Sequence, residues 1–131
     1  MPLPTSLLRI AAPFSTDIVI RQGDTLQLPF TIKVSGVAVD LSGFTAACKI
    51  RDYYGSATVL ATPTVTIPVG TDGVILVSMT PAATAALTAL GTPANTARVA
   101  LMGYYDIDIT DATDRVTLIV GQVNLSREIT L

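Results

Sequence analysis

Apolar and polar positions alternate along this chain in short runs, broken about every ten residues by turn residues, the spacing of an all-β sandwich or barrel. The pattern predicts strands near 17–22, 25–35, 44–52, 57–67, 73–79, 98–110 and 115–126. Between them stand Gly23-Asp24, Ser35-Gly36, Ser42-Gly43, Tyr54-Gly55-Ser56, Gly70 to Gly73 and Asp111 to Asp114, which turn a chain through glycine's positive φ and the side-chain bonds of Asp and Ser. In Tyr105-Asp106-Ile107-Asp108-Ile109-Thr110 the isoleucines fall on one face and the polar residues on the other. The run Val116 to Leu125 follows as its hairpin partner, with Gly121 interrupting the alternation as a bulge would. Pro29 lacks an N–H, which fits a strand partly at an edge.

One segment departs from the period of two. Thr80-Pro81 followed by an alanine-rich run to Leu90-Gly91 supplies an N-cap, a proline at the first helical position and a terminal glycine. A short helix near 80–90 is expected, with Ala83, Leu87 and Leu90 resting on an open end of the sandwich. The first sixteen residues differ again: Pro2, Pro4 and Pro13 favour an extended chain, and Leu7, Leu8, Ile10 and Phe14 are apolar anchors along it. The reading is an extended N-terminal arm over 1–16, lying on a neighbouring subunit, and a single β-sandwich domain over 17–131. A frayed terminus is the plainer alternative, but free apolar anchors are a liability on a lone monomer.

Composition narrows the partners. At 131 residues the chain is one domain, able to bury a core without staples. No apolar run approaches the roughly 20 residues that span a bilayer. Pro2, Pro4 and Arg9 interrupt the stretch that a secretory signal would need, so an unprocessed cytoplasmic product is expected. Eight basic against ten acidic residues, without a basic run, lack the footprint of a nucleic-acid binder. Only 14% of residues are charged while half are hydrophobic, so part of the surface is expected to be covered by partner subunits.

The search for chemistry is mostly negative. There is no histidine, which removes Ser-His-Asp and Cys-His mechanisms and the usual zinc sites. Cys48, alone in an apolar strand, reads as a small buried hydrophobe. Asp106, Asp108, Asp111 and Asp114 are the best candidates for a hard cation, but lack the spacing of a calcium loop and read as a solvated strand face, so no metal is assigned. A glycosidase pair finds no support: Glu128 is the one glutamate, and no tryptophan is present to stack a sugar. Tyr54 and Tyr104, with their neighbours Tyr53 and Tyr105, are the remaining candidates for a glycan-contacting surface. No glycine-rich loop matches a phosphate cradle, and no cofactor is expected.

A resemblance adds to this. Gly23-Asp24-Thr25, Asp40-Leu41-Ser42-Gly43, Lys49-Ile50-Arg51-Asp52, the run Gly73 to Pro81 leading into Thr84 to Leu87, Tyr105 to Ile109 and Arg115 to Gly121 follow one another in an order that resembles the small β-sandwich modules of tailed-phage virions, notably the N-terminal domain of baseplate upper proteins. The resemblance spans 17–131 and is distributed, with no catalytic residues to carry over. It implies an Ig-like antiparallel β-sandwich of about seven strands, in a non-enzymatic virion structural protein made in the host cytoplasm. Such a protein would assemble at the tail or baseplate as a homo-oligomer with other virion proteins, through its arm and strand edges. Ending at Leu131, directly after the sandwich, the chain looks more like a compact accessory part than an adaptor with fibre segments. Capsid decoration as a cement protein, and a carbohydrate-binding receptor module, are the alternatives.

Overall fold

A computed structural model describes residues 14–87 and 99–127 of the chain. The strands are β1 (Phe14–Ser15), β2 (Ile18–Arg21), β3 (Leu26–Thr31), β4 (Lys33–Val34), β5 (Val37–Ala38), β6 (Thr45–Arg51), β7 (Val59–Ala61), β8 (Thr64–Thr66), β9 (Val74–Met79), β10 (Val99–Thr110) and β11 (Arg115–Ser126). One short helix, α1 (Pro81–Ala85), and a 3-10 turn at Gly70–Asp72 complete the set.

The strands form two main sheets. The larger runs β1-β11-β10-β6-β7, with β2 following β1 along the same edge of β11; the smaller runs β3-β9-β8. The first strands lie parallel to β11, whereas β10 is antiparallel to both β11 and β6. Placing β11, β10 and β6 side by side in one sheet, opposite β3, β9 and β8 in the other, is the order of an immunoglobulin-like sandwich, with β7 as the extra strand beside the central trio. The chain therefore folds as the expected all-β, Ig-like sandwich.

The core is the apolar set that the alternation predicts. Ile50, Tyr105, Ile107, Ile109 and Leu125 of the larger sheet meet Leu26, Ile75 and Val77 of the smaller, all almost without solvent exposure. The rings of Phe30 and Tyr105 stand 6.5 Å apart across the gap. Asp106 and Asp108 point the other way, onto the outer face of β10, as a period of two requires.

Several expectations are corrected in detail. The segment expected as one strand over 25–35 stops at Thr31, and a two-residue hairpin, β4–β5, follows. Ser35 and Gly36 both adopt positive φ (52° and 79°), the backbone of a type I′ turn. The segment expected over 57–67 is two strands in different sheets: β7 pairs with β6, β8 pairs with β9, and Pro63 lies at the crossover between them. The helix is shorter than expected, Pro81–Ala85, although Thr80 caps it as predicted by accepting the Ala83 N–H at 3.2 Å. Leu90 lies outside the described residues.

Gly121 does not mark a bulge. The register of β10 on β11 shifts between Leu101 and Gly103 and between Ile107 and Asp108, while Gly121 stays in register opposite Tyr105. Its glycine serves a different need: a Cβ there would stand 1.8 Å from the Thr16 carbonyl oxygen. Two lengths of backbone approach too closely for any side chain.

Candidate interaction surfaces

At Thr16 the N-terminal strand breaks, separating β1 from β2. The Thr16 N–H donates to Val120 O at 2.9 Å, its carbonyl turns inward over Gly121 and accepts the Tyr105 hydroxyl at 2.6 Å, and the Asp17 carboxylate accepts the Gln122 N–H at 2.9 Å. Both backbone groups of Thr16 thus find a partner on β10 or β11. Burial pushes the Tyr105 hydroxyl well above the ordinary phenol range, so it stays a donor.

Beside this break the sandwich is open. A groove of about 350 Å3 runs between the two sheets, walled on one side by residues 14–16 with Ile119 and on the other by Phe30, Thr31, Ile32 and Lys33. Phe14 stands in it 42% exposed, a large apolar side chain only half covered. The expected arm therefore ends earlier than position 16: Phe14 and Ser15 belong to the domain's own sheet, opposite Ile119 and Val120. Leu7, Leu8 and Ile10 lie outside the described residues.

The strand edges expected to serve as joints are blunted. Among the described residues strand β3 pairs only with β9, and the Ile32 N–H donates to Gly73 O at 2.7 Å, which turns the backbone of Leu28 and Phe30 toward β9 and that of Pro29 and Thr31 toward the other side. Pro29 therefore removes a donor from the open edge while leaving the ladder to β9 whole, as expected of an edge proline. Of the other described edges, β7 and β8 are three residues each and flank Pro63, and β1 and β2 are two and four residues.

The end of the sandwich near α1 is closed. Thr84, fully buried, accepts the Gly23 N–H at 3.0 Å and donates to Asp24 O at 2.8 Å, and Gln22 Nε2 donates to Leu87 O at 3.0 Å. Leu87 is buried and Ala83 packs beside the core, as the sequence predicts for a lid.

On the outer face of the larger sheet the two candidate glycan-contacting residues come together. Tyr54, from the turn after β6, lies against Tyr104 of β10 with ring centroids 4.8 Å apart at 47°. Tyr54 and Tyr53 are more than half exposed. Across the strands Tyr104 is flanked by Arg51 and Gln122. Burial, followed by the Asp17 charge, raises the pKa of Tyr54.

Further along that face lie the aspartates weighed as cation ligands. Arg51 donates to Asp106 at 3.4 Å, while Arg115 pairs with Asp108, whose other oxygen accepts the Thr117 hydroxyl at 2.7 Å. Burial outweighs these cations at Asp106 and raises its pKa, with Asp108 adding to the rise. Asp111 instead closes the β10–β11 turn, accepting the N–H groups of Thr113 and Asp114 at 2.7 and 2.6 Å, and these bonds lower its pKa. The four carboxylates thus serve a strand face and a turn. Among the described residues no three metal-ligating side chains converge.

Cys48 is a free, buried thiol on β6, its pKa pushed up to about 12 by burial and then by Asp106 and Asp108. At neutral pH it is neither a thiolate nor accessible. The features that sequence reasoning missed are the groove itself and the Thr16, Tyr105 and Gly121 junction beside it. Gly121 was their one visible signal, since a glycine inside a strand also marks close backbone approach.

No protein-family model matches the chain, and no curated protein matches it. Among solved structures it is similar to a chain in the crystal structure of the ZIG-8–RIG-5 IG1-IG1 heterodimer, with 11% identity, 95% of each chain covered and a TM-score of 0.41. At that level the likeness bears on neither partner nor activity, and the fold stated above rests on the strand order itself.

Proposed function

We propose that this protein is a non-enzymatic structural part of a bacteriophage virion, a homo-oligomer assembling at the tail or baseplate through its N-terminal segment and the open side of its sandwich. The observation that carries the assembly reading is the groove between β1 and β3, with Phe14 half exposed where the chain enters the domain. An apolar opening at a strand edge is a joint when a partner fills it and a liability otherwise. The phage assignment draws its support from the order of sequence elements that resembles the baseplate-type module, from Gly23-Asp24-Thr25 to Gly121. Capsid decoration would use the same groove and differ only in the neighbour.

The test is the solution mass by light scattering of the full chain and of a variant lacking residues 2–13, which keeps β1 intact. A defined oligomer that falls to monomer on truncation supports the assembly reading. A monomer in both forms overturns it.

The tilted pair Tyr54 and Tyr104 favours a second reading, a carbohydrate-binding module, because partly exposed aromatic rings beside amide and guanidinium groups suit sugar faces and hydroxyls. Glycan-array binding lost in Tyr54→Ala and Tyr104→Ala would establish it, and an array without signal would remove it.

A further inference from the structure

We infer that the groove between β1 and β3 is the receptor for the N-terminal segment of a second copy of this chain, with Leu8 and Ile10 of that copy entering side by side. This deepens the assembly reading above and rests on it. Three observations carry it.

The first is the shape and chemistry of the groove. Its walls carry Phe14 and Phe30 over the buried Ile32 and Ile119, interleaved with Ser15, Thr16, Thr31 and Lys33, and its 350 Å3 gives room for two branched aliphatic side chains. In an extended segment, residues two apart point the same way, so Leu8 and Ile10 form one apolar face and Leu7 and Arg9 the other. Along the free side of β3 the backbone of Thr31 faces the incoming segment, while Pro29 offers a carbonyl but no N–H. A short segment held mainly by its side chains fits this edge better than a long ladder does.

The second is the length and direction of the chain outside the described structure. Thirteen residues precede Phe14, four of them leucine or isoleucine and none acidic. At β1 the chain runs parallel to β11, with Phe14 opposite Ile119 and Ser15 opposite Val120. At Phe14 the backward direction of the chain is therefore toward the Arg115 end of β11.

The third decides between the chain's own segment and a neighbour's. To enter its own groove, the segment must reverse within Ala11-Ala12-Pro13. Proline fixes its own φ and bars the residue before it from the helical region, so Ala12 favours extension over reversal. The segment leaves the domain where it starts and reaches the groove of another copy, a head-to-tail contact that closes into a ring or propagates along a lattice.

The test is disulfide trapping between two single variants, Leu8→Cys and Thr31→Cys, each carrying the native Cys48, which is buried and stays a thiol. Under mild oxidation, mixing the two is expected to give a covalent dimer about tenfold faster than mixing Leu8→Cys with Val99→Cys, whose residue is 50% exposed and stands opposite Ser126, far along β11 from Ile119. Equal rates would overturn the inference. So would a double variant, Leu8→Cys with Thr31→Cys, that closes internally as a monomer at a rate independent of protein concentration. Unchanged thermal unfolding of each variant confirms that the fold is intact. The two claims fail separately: if truncation of residues 2–13 dissolves the oligomer while trapping shows no preference for Thr31→Cys, the groove assignment falls and the assembly reading stands; if the full chain is a monomer, both fall.

Discussion

Two places among the described residues where the core of the sandwich meets the outside are finished in opposite ways. At the α1 end, Thr84 satisfies the Gly23 N–H and the Asp24 carbonyl, Gln22 reaches the Leu87 carbonyl, and Leu87 covers the core. Between β1 and β3, by contrast, the sheets part around a groove in which Phe14 is only half covered. The first is a lid made by the chain for itself, with its polar groups paired and its apolar groups buried. The second has its backbone groups paired at Thr16 but leaves apolar surface uncovered. Polar completion with apolar incompletion is what the proposed joint requires: a domain finished in this way can fold alone and still gain from burying a partner.

This difference predicts that damage to the lid lowers stability alone, whereas damage to the open side lowers stability and assembly together. The largest effect is expected at Gly121. A Cβ placed 1.8 Å from the Thr16 carbonyl must push β1 off β11, and β1 is one wall of the groove. Gly121→Ala should cost about 3 kcal/mol, the upper end for an overpacked site, and should lower the oligomer mass at concentrations where the domain is still folded. Denaturant unfolding and light scattering on the same sample read both. Assembly that survives the loss of stability would break the link between the break at Thr16 and the joint.

The matching change at the lid is Thr84→Val, which keeps the shape and removes the hydroxyl. The Gly23 N–H and Asp24 carbonyl lose their buried partner, at about 2 kcal/mol. Here the oligomer mass should be unchanged under native conditions. A variant that loses mass while remaining as stable as the parent would place the α1 end in the interface and reverse the comparison.

The lid was the more legible of the two in the sequence, for a physical reason. Its signals are local: Thr80 and Pro81 fix the start of the helix, and the Ala83 and Leu87 spacing fixes its buried face. The Asp and Ile alternation of β10 and the Ser35-Gly36 turn were legible on the same ground. The groove depends on what two distant segments leave between them, residues 14–16 and 30–33, which no local pattern encodes. Strand breaks followed the same division. Pro63 hid a change of sheet inside one apolar run, and the register shift near Leu118 arises from pairing alone, without a glycine to announce it. Tyr54 and Tyr104, fifty positions apart in sequence, were named as candidates, but their contact follows from the register of β6 on β10.

The smallest change tests whether the break at Thr16 is held from within. Tyr105→Phe removes only the hydroxyl that the Thr16 carbonyl accepts at 2.6 Å, leaving the ring against Phe30. The loss should be about 1 kcal/mol at neutral pH, the net worth of one hydrogen bond. Alkaline pH separates this bond from simple packing. The folded pKa of Tyr105 is raised above its ordinary value of 10.0, chiefly by burial, so the native state favours the neutral phenol. Its contribution is fully present below pH 10 and declines as pH rises from there toward the folded pKa, because the unfolded chain can ionise while the folded one resists. The parent should therefore lose stability above pH 10 more steeply than Tyr105→Phe, and the two unfolding curves should converge. Parallel curves would mean that the hydroxyl ionises as freely in the fold as out of it, and that β1 is held in place by Gly121 and its ladder alone. In that case the wall of the groove is a strand edge that can shift, and the open side is a less defined receptor than the lid is a cover.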